Sequence, residues 1–417
     1  MTEAGPQIDF SRLAIEAGTA FSPTAPIDEH ALFAGREHEI RKVIDVINQK
    51  GQHAIIYGER GVGKTSLVSV ISAFLSYPQQ LAIIAPRVNC EAQDTFDSVW
   101  HKVFEQIELQ RNRPLPGFEG MVMADVLQAS SLIPVRGDRG ITAEDVRRVL
   151  TVLARDAIPV LMVDEFDRLQ DLPRRAFADA IKTLSDHAVG ATVVVVGVAD
   201  SVEQLIEEHE SIERALVQIH MPRMSPAEIQ QIISKGLDRL GMTIRSSAMR
   251  RIVLLSQGLP HYTHLVGLHA ARYALDHKSL VIDDATVDGA ITKAIDGTQQ
   301  SIRTLYQKAT SSPRKDNLFG SVLLACALAE NDEMGFFAAQ DVREPMQKIT
   351  GKPYEIPSFS QHLNDFCETK KGRILLRTGT KRKFRFRFRD PLMQPFVIMR
   401  GLRDGQLSAD ALDRLDR

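Results

Sequence analysis

The chain has 417 residues, 44% hydrophobic and 25% charged, with a formal net charge of -2 at pH 7. This is the composition of an ordinary globular protein of two to four domains. No apolar run reaches the roughly 18 residues of a transmembrane helix, Met1 to Pro6 lack the basic and apolar regions of a signal peptide, and Cys90, Cys326 and Cys367 lack metal-ligand spacing. The expectation is a cytoplasmic protein with reduced thiols and no membrane partner.

Residues 1–32 show weak periodicity, and Phe21 to Ile27 form an extended, proline-punctuated lead. A loop through Phe33, Gly35 and Arg36 precedes a helix whose apolar face is Ile40, Val43, Ile44 and Ile47. His53 to Tyr57 then reads as a short buried strand, and Ser66 opens a helix.

Between them, Gly58, Glu59, Arg60, Gly61, Val62, Gly63, Lys64 and Thr65 fit the phosphate-loop pattern G-x-x-x-x-G-K-[ST]. Glycines let backbone N–H groups curl around phosphate oxygens, and the helix N-terminus, beginning at Ser66, adds a favourable dipole. Lys64 would reach the β- and γ-phosphates of ATP, and the Thr65 hydroxyl would ligate Mg²⁺.

Further strands are expected at Leu81 to Cys90, Ile158 to Glu165, Thr192 to Ser201 and Val217 to Met221, with helices at Thr95 to Leu109, Ala143 to Ala154, Arg174 to His187 and 202–209. Residues 111–141 read as an irregular insertion. Strands alternating with helices indicate a parallel sheet with helices on both faces. The apolar run Ile158 to Val163 ends in Asp164 and Glu165. In that setting the aspartate would hold Mg²⁺ through water and the glutamate would polarise the attacking water. A helix cap at Asp164 or Asp167 is compatible with this.

Residues 225–310 read as all helix, opening on Ser225-Pro226-Ala227-Glu228 and interrupted at Ser256 to Pro260. After a linker near 310–315, helices at Phe319 to Ala329, Ala339 to Thr350 and Ser358 to Thr369 precede a hairpin from Arg373 to Arg389. Three helices and a two-stranded wing suggest a winged helix. The expected divisions are a lead at 1–32, an α/β P-loop core at 33–224, an α-helical lid at 225–312, a winged helix at 313–402 and a tail at 403–417.

In this order the chain resembles the AAA+ and STAND group of P-loop ATPases, especially the branch near archaeal and eukaryotic replication initiators. The resemblance covers roughly residues 20–400. It implies that Phe33, Gly35 and Arg36 lie along the adenine, that Asp200 takes the first sensor position, and that Arg214 is an arginine finger reaching a neighbouring subunit. It also implies that Gly258-Leu259-Pro260 is the GxP element near the base, with Pro260 and His261 beside the nucleotide. His261 stands where an arginine is usual, which weakens γ-phosphate detection and implies slow turnover. The residues alone leave alternatives open: Arg214 as a solvated helix residue, Asp200 as a helix cap, and His261 and His264 as packed side chains.

Residues 370–389 carry ten Lys and Arg and no acid. On a strand, the alternation from Lys383 to Arg389 sends Phe384, Phe386 and Phe388 to the core and Arg385, Arg387 and Arg389 to water. With Lys381, Arg382 and Lys383, that row suits a DNA backbone. Asp365 and Glu368 on the preceding helix argue against sequence-specific reading. The alternative is a basic face docking on an acidic body or a protein partner.

Two functions follow as expectations. One is an ATP-hydrolysing, DNA-binding switch of initiator or loader type, assembling into homo-oligomers with ATP. The other is a STAND signalling ATPase of antiphage defence or regulation, whose winged helix serves autoinhibition or an effector protein.

Overall fold

The computed structural model describes residues 8–23, 34–75, 83–114, 122–134, 140–206, 212, 214–313, 317–332, 334–380, 383–408 and 411. The chain forms two compact units. One is Arg36–Glu59 with Lys64–Met221; the other is Met1–Gly35, the loop tip Arg60–Gly63 and Pro222–Arg417. Helix α1 (Phe10–Ala20) belongs to the second.

The first unit runs α2 (Glu37–Ile47), β1 (His53–Gly58), α3 (Lys64–Leu75), β2 (Ile83–Ile84), β3 (Arg87–Asn89), α4 (Phe96–Glu105), β4 (Glu108–Pro114), β5 (Val122–Gln128), α5 (Ala143–Leu153), β6 (Ile158–Asp164), α6 (Asp171–Asp186), β7 (Thr192–Val198) and β8 (Leu216–His220). Its sheet has the order β2-β6-β7-β1-β8, with β3 also on β6, and every pairing is parallel. Strands β6 and β7 are near-continuous Val, Leu and Met runs because both faces of a parallel sheet are covered. Trp100 and Phe104 of α4, with Phe166 and with Phe177 of α6, fill the core beside them, and Trp100 and Phe177 stack at 5.6 Å. Capping boxes at Thr95 with Ser98 and at Thr142 with Asp145 start α4 and α5.

Strand β7 lies between β1 and β6. The C-terminal ends of three adjacent strands therefore carry Gly58, Val198 and Asp164, the edge where α/β sheets bind ligands. The expected irregular insertion instead contains an antiparallel hairpin, β4 with β5. Of the helix expected at 202–209, a single 3₁₀ turn at Val202–Gln204 is described.

The second unit holds α1, then α7 (Pro226–Leu240), β9 (Thr243–Ile244), α8 (Ser246–Ser256), α9 (Pro260–Asp276), β10 (Val281–Ile282), α10 (Asp284–Gly297) and α11 (Gln300–Thr310). The Ser225–Glu228 capping box and Pro226 start α7 as the sequence indicates. Past Pro260, where the sequence reads as helix through residue 310, the helical path breaks at Thr298, whose hydroxyl donates back to the Ala294 carbonyl. Helix α1 leaves no clear pattern in the sequence, yet it packs on α7 and α9. Phe21 after it is fully buried against Gly236 and Gly267, where any Cβ would run into its ring.

The chain then forms α12 (Phe319–Ala327), β11 (Phe337–Ala338), α13 (Arg343–Thr350), α14 (Ile356–Phe366), β12 (Leu375–Thr378), β13 (Arg385–Phe388) and α15 (Met393–Arg403). This is a winged helix whose antiparallel sheet has three strands, β11-β13-β12, where the sequence suggests two. The extra strand is two residues long, too short to leave an alternating pattern. Helix α15 follows the wing and packs on α10 and α12.

Candidate nucleotide site

Gly58, Gly61 and Gly63 have φ of 152°, 88° and 95°, so the loop after β1 follows a path that side chains resist. At Gly58 a Cβ would also collide with the Met221 carbonyl. Lys64 opens α3 and is 7% exposed. Its Nζ donates to the carbonyls of Gly58 at 2.9 Å and Glu59 at 2.7 Å, so the ammonium is folded back on the loop's own backbone. Burial pushes its pKa down to about 8, against the opposing pull of Asp167, Asp164 and Glu59. Thr65 and Ser66 continue the first turn of α3.

Asp164 ends β6 and is 3% exposed. Its Oδ1 accepts from the Glu165 N–H at 2.8 Å, and its Oδ2 accepts from Arg87 Nη2 at 3.0 Å. Glu165 has φ of 56°, a left-handed backbone uncommon for its type, and its Oε2 lies 3.3 Å from Arg168 Nε. The Asp167 Oδ1 accepts from the Val198 N–H at 2.7 Å, tying the turn after β6 to the end of β7. Asp200 is half-buried just past β7, its N–H donating to Gln204 Oε1 at 3.0 Å. Arg214 is exposed on the turn before β8. Arg36 is buried with φ of 63°, and its Nη1 lies 3.5 Å from Glu39 Oε1.

The loop tip belongs to the second unit. There Arg60 Nη1 lies 3.3 Å from Asp390 Oδ2, and a Cβ on Gly61 would sit 2.9 Å from the Leu392 side chain. The buried Tyr262 hydroxyl donates to the Leu392 carbonyl at 2.7 Å. Gly258 has φ of 73° and its carbonyl accepts from Met224 N at 2.8 Å; a Cβ would meet Arg223 and Met224. Only glycine suits that approach. Pro260 starts α9 and is buried. His261 Nδ1 donates to the Pro23 carbonyl at 2.7 Å, and burial lowers its pKa. His264 is buried with neither ring nitrogen bonded, and burial holds its pKa down to about 4. In the same unit, the Gly35 N–H donates to Gln231 Oε1 at 3.2 Å. Phe33 lies outside the described residues.

On the wing, Phe386 and Phe388 are buried and Phe384 half-buried, while Lys383, Arg385 and Arg389 are exposed. The arginines differ in their engagements. Arg385 Nη1 lies 3.0 Å from Asp332 Oδ2, and the Arg387 guanidinium sits 4.7 Å over the Phe336 ring. Lys383 and Arg389 form no ion pair among the described residues. Lys381 and Arg382 lie outside those residues. On α14, Asp365 is held by Lys370 at 3.0 Å and Gln361 at 2.8 Å, and Asn364 by Arg377 at 2.7 Å.

The residues fit a nucleotide with Mg²⁺. A glycine-rich turn with a buried, foldable lysine suits phosphate oxygens. One hydroxyl and one buried carboxylate suit an ion that keeps most of its waters and takes the rest from phosphate. Among the described residues no cluster of three or more His, Cys, Asp or Glu is placed to hold a metal by itself. Sequence reasoning missed Arg87; the signal was a cation at the head of a short strand that pairs with β6.

Sheet and loop together define a P-loop nucleoside triphosphatase with a helical lid and a winged helix. The chain belongs to the Novel STAND NTPase 1 family, whose model matches residues 24–303. No curated protein matches it by sequence. Among solved structures, the Walker-type ATPase PABY2304 of Pyrococcus abyssi is similar at TM-score 0.50 and 13% identity, covering 90% of this chain and 98% of that one. Cdc6p from Pyrobaculum aerophilum aligns at TM-score 0.45 and 14% identity, covering 94% and 99%. The Aeropyrum pernix ORC1 protein, solved in complex with DNA, aligns at 0.45 and 15%, covering 89% and 93%. At these identities the likeness is one of fold. No described helix is long and apolar enough to cross a membrane.

Proposed function

We propose that this NTPase is an ATP-driven switch. ATP and Mg²⁺ bind at Gly58–Ser66, with Thr65 and Asp164 toward the metal. Lys64 leaves its two backbone carbonyls for the β- and γ-phosphates. Glu165 turns from Arg168 to orient water, Asp200 senses the γ-phosphate, and Arg214 reaches it from an adjoining copy. Arg36 lies toward the base. Bound Mg²⁺ would neutralise charge developing on the phosphates. Carrying this reading is the engagement of Lys64 by the Gly58 and Glu59 carbonyls, which phosphate oxygens can replace one for one.

The output is nucleotide-dependent contact of the winged helix with a DNA backbone through Lys383 and Arg389, joined by Lys381 and Arg382. The test is duplex binding against salt, with ATP and with ADP, for wild type and a K383Q/R389Q variant. Tight, salt-sensitive binding in one nucleotide state, weakened in the variant, is expected. A second reading, a wing that docks on protein, is favoured by the internal engagement of Arg385 and Arg387. Absence of duplex binding in either state would favour it.

A further inference from the structure

The guanidinium of Arg87 sits between the two chain elements that carry the candidate Mg²⁺ groups. Its Nη1 donates to Ser69 Oγ at 2.5 Å, and Ser69 Oγ in turn donates to the Thr65 carbonyl at 3.0 Å. Its Nη2 donates to Asp164 Oδ2 at 3.0 Å. The backbone N–H of Glu165 takes the other carboxylate oxygen, and the backbone carbonyl of Asp164 accepts from Cys90 N at 2.8 Å. One fork thus spans from Ser69, in the second turn of α3, to the end of β6; Ser69 relays it to the Thr65 carbonyl, and both oxygens of Asp164 are engaged.

A carboxylate oxygen has two lone-pair directions. With one on each oxygen taken, the plane of the Asp164 carboxylate is fixed and its remaining lone pairs point in set directions. The Asp164 side chain is 4% exposed and that of Arg87 23%, so water competes poorly for this pair. A lysine has one point charge and cannot hold Ser69 and Asp164 with a rigid planar fork.

We propose that Arg87 is a positioning residue of the nucleotide site, setting the placement of Asp164 relative to Thr65 and so the affinity for Mg²⁺ with nucleotide. This rests on the reading of Gly58–Ser66, Thr65 and Asp164 as the nucleotide and metal site. The bridge acts through both arms, so charge alone does not replace it.

The test is a Mg²⁺ titration of ADP binding on the full chain, followed by a fluorescent ADP analogue, for wild type, R87K, R87Q and S69A. Outer-shell partners of metal ligands typically change metal affinity by about ten- to a hundredfold when removed. R87K and R87Q are expected to raise the Mg²⁺ midpoint by about tenfold and S69A by a smaller factor in the same direction, with affinity in EDTA unchanged. S69A removes one hydroxyl from a helix surface and keeps the assay informative if Arg87 variants fold poorly. A wild-type midpoint in either R87K or S69A overturns the bridge. A wild type that binds no ADP, with or without Mg²⁺, overturns the nucleotide-site reading and this inference with it. Nucleotide binding with an unaltered Mg²⁺ response in the variants overturns the role of Arg87 alone.

Discussion

Arg60 at the tip of the phosphate loop and Asp390 at the end of the wing form an ion pair at 3.3 Å. Beside it, Leu392 lies under Gly61 and accepts the Tyr262 hydroxyl at its carbonyl. The loop tip is thereby held by the segment that leads from β13 into α15.

The ion pair is partly exposed, with Arg60 at 54%, so it contributes about 1 kcal/mol or less. D390A and R60A are each expected to speed release of a fluorescent ADP analogue by up to about fivefold, the kinetic equivalent of that energy. The double variant should add little to either single one, because both remove the same ion pair. Stopped-flow displacement checks this, and additive effects would show that the two residues act separately.

Lys64 should make nucleotide binding pH-dependent. Its folded pKa is lowered to about 8 from 10.5. Charging it therefore opposes folding, and the nucleotide-free protein should gain stability as pH rises from about 8 toward 10.5, where the unfolded chain binds the extra proton. Phosphate restores the charged form, so nucleotide binding should take up protons near pH 8 to 9 and weaken as pH rises through that range. Calorimetry in buffers of different ionisation heat measures the uptake. K64M should abolish it together with most of the affinity.

His264 predicts an acid-side effect. Its pKa is held to about 4 by burial, from 6.5, with neither ring nitrogen bonded. A lowered histidine pKa costs stability as pH falls from about 6.5 toward 4, because the unfolded state gains the proton first. H264L removes two unsatisfied buried nitrogens. It should raise stability by about 1 kcal/mol at pH 7 and reduce acid sensitivity, as urea melts at pH 7 and pH 5 would show.

On the wing, the two cations outside any described ion pair and the two engaged ones should separate. K383Q/R389Q is expected to reduce the salt slope of duplex binding by about 2, at roughly 0.9 for each phosphate no longer neutralised. R385Q breaks the Asp332 pair, which is 48% and 35% exposed at its two ends, and should cost at most about 1 kcal/mol of stability. A larger drop in binding for R385Q than for the double variant would contradict this division.

The phosphate loop, the Asp164 strand end, the parallel sheet, the lid start at Ser225 and the alternation of the wing are legible in the sequence because each is local. They are short motifs, apolar runs and capping pairs whose spacing fixes their geometry. What is not legible depends on distant partners. Helix α1 and Phe21 matter because Gly236 and Gly267 leave room for the ring, which no local pattern announces. Arg87 looks like an ordinary strand residue until β3 is laid beside β6. The wing cations all read alike until Asp332 and Phe336 are placed next to Arg385 and Arg387. The sequence leaves the histidines open between phosphate partners and packed residues, and the structure bonds His261 to the Pro23 carbonyl and buries His264.

The most direct test of the switch is ATP binding and single-turnover hydrolysis by wild type and E165Q at the same Mg²⁺ concentration. Glu165 directly follows β6 with a left-handed backbone, its carboxylate reaching Arg168. E165Q should bind ATP as tightly as wild type while its hydrolysis falls by about a hundredfold or more, as removal of a positioned base does. Unchanged hydrolysis in E165Q would contradict this role of Glu165.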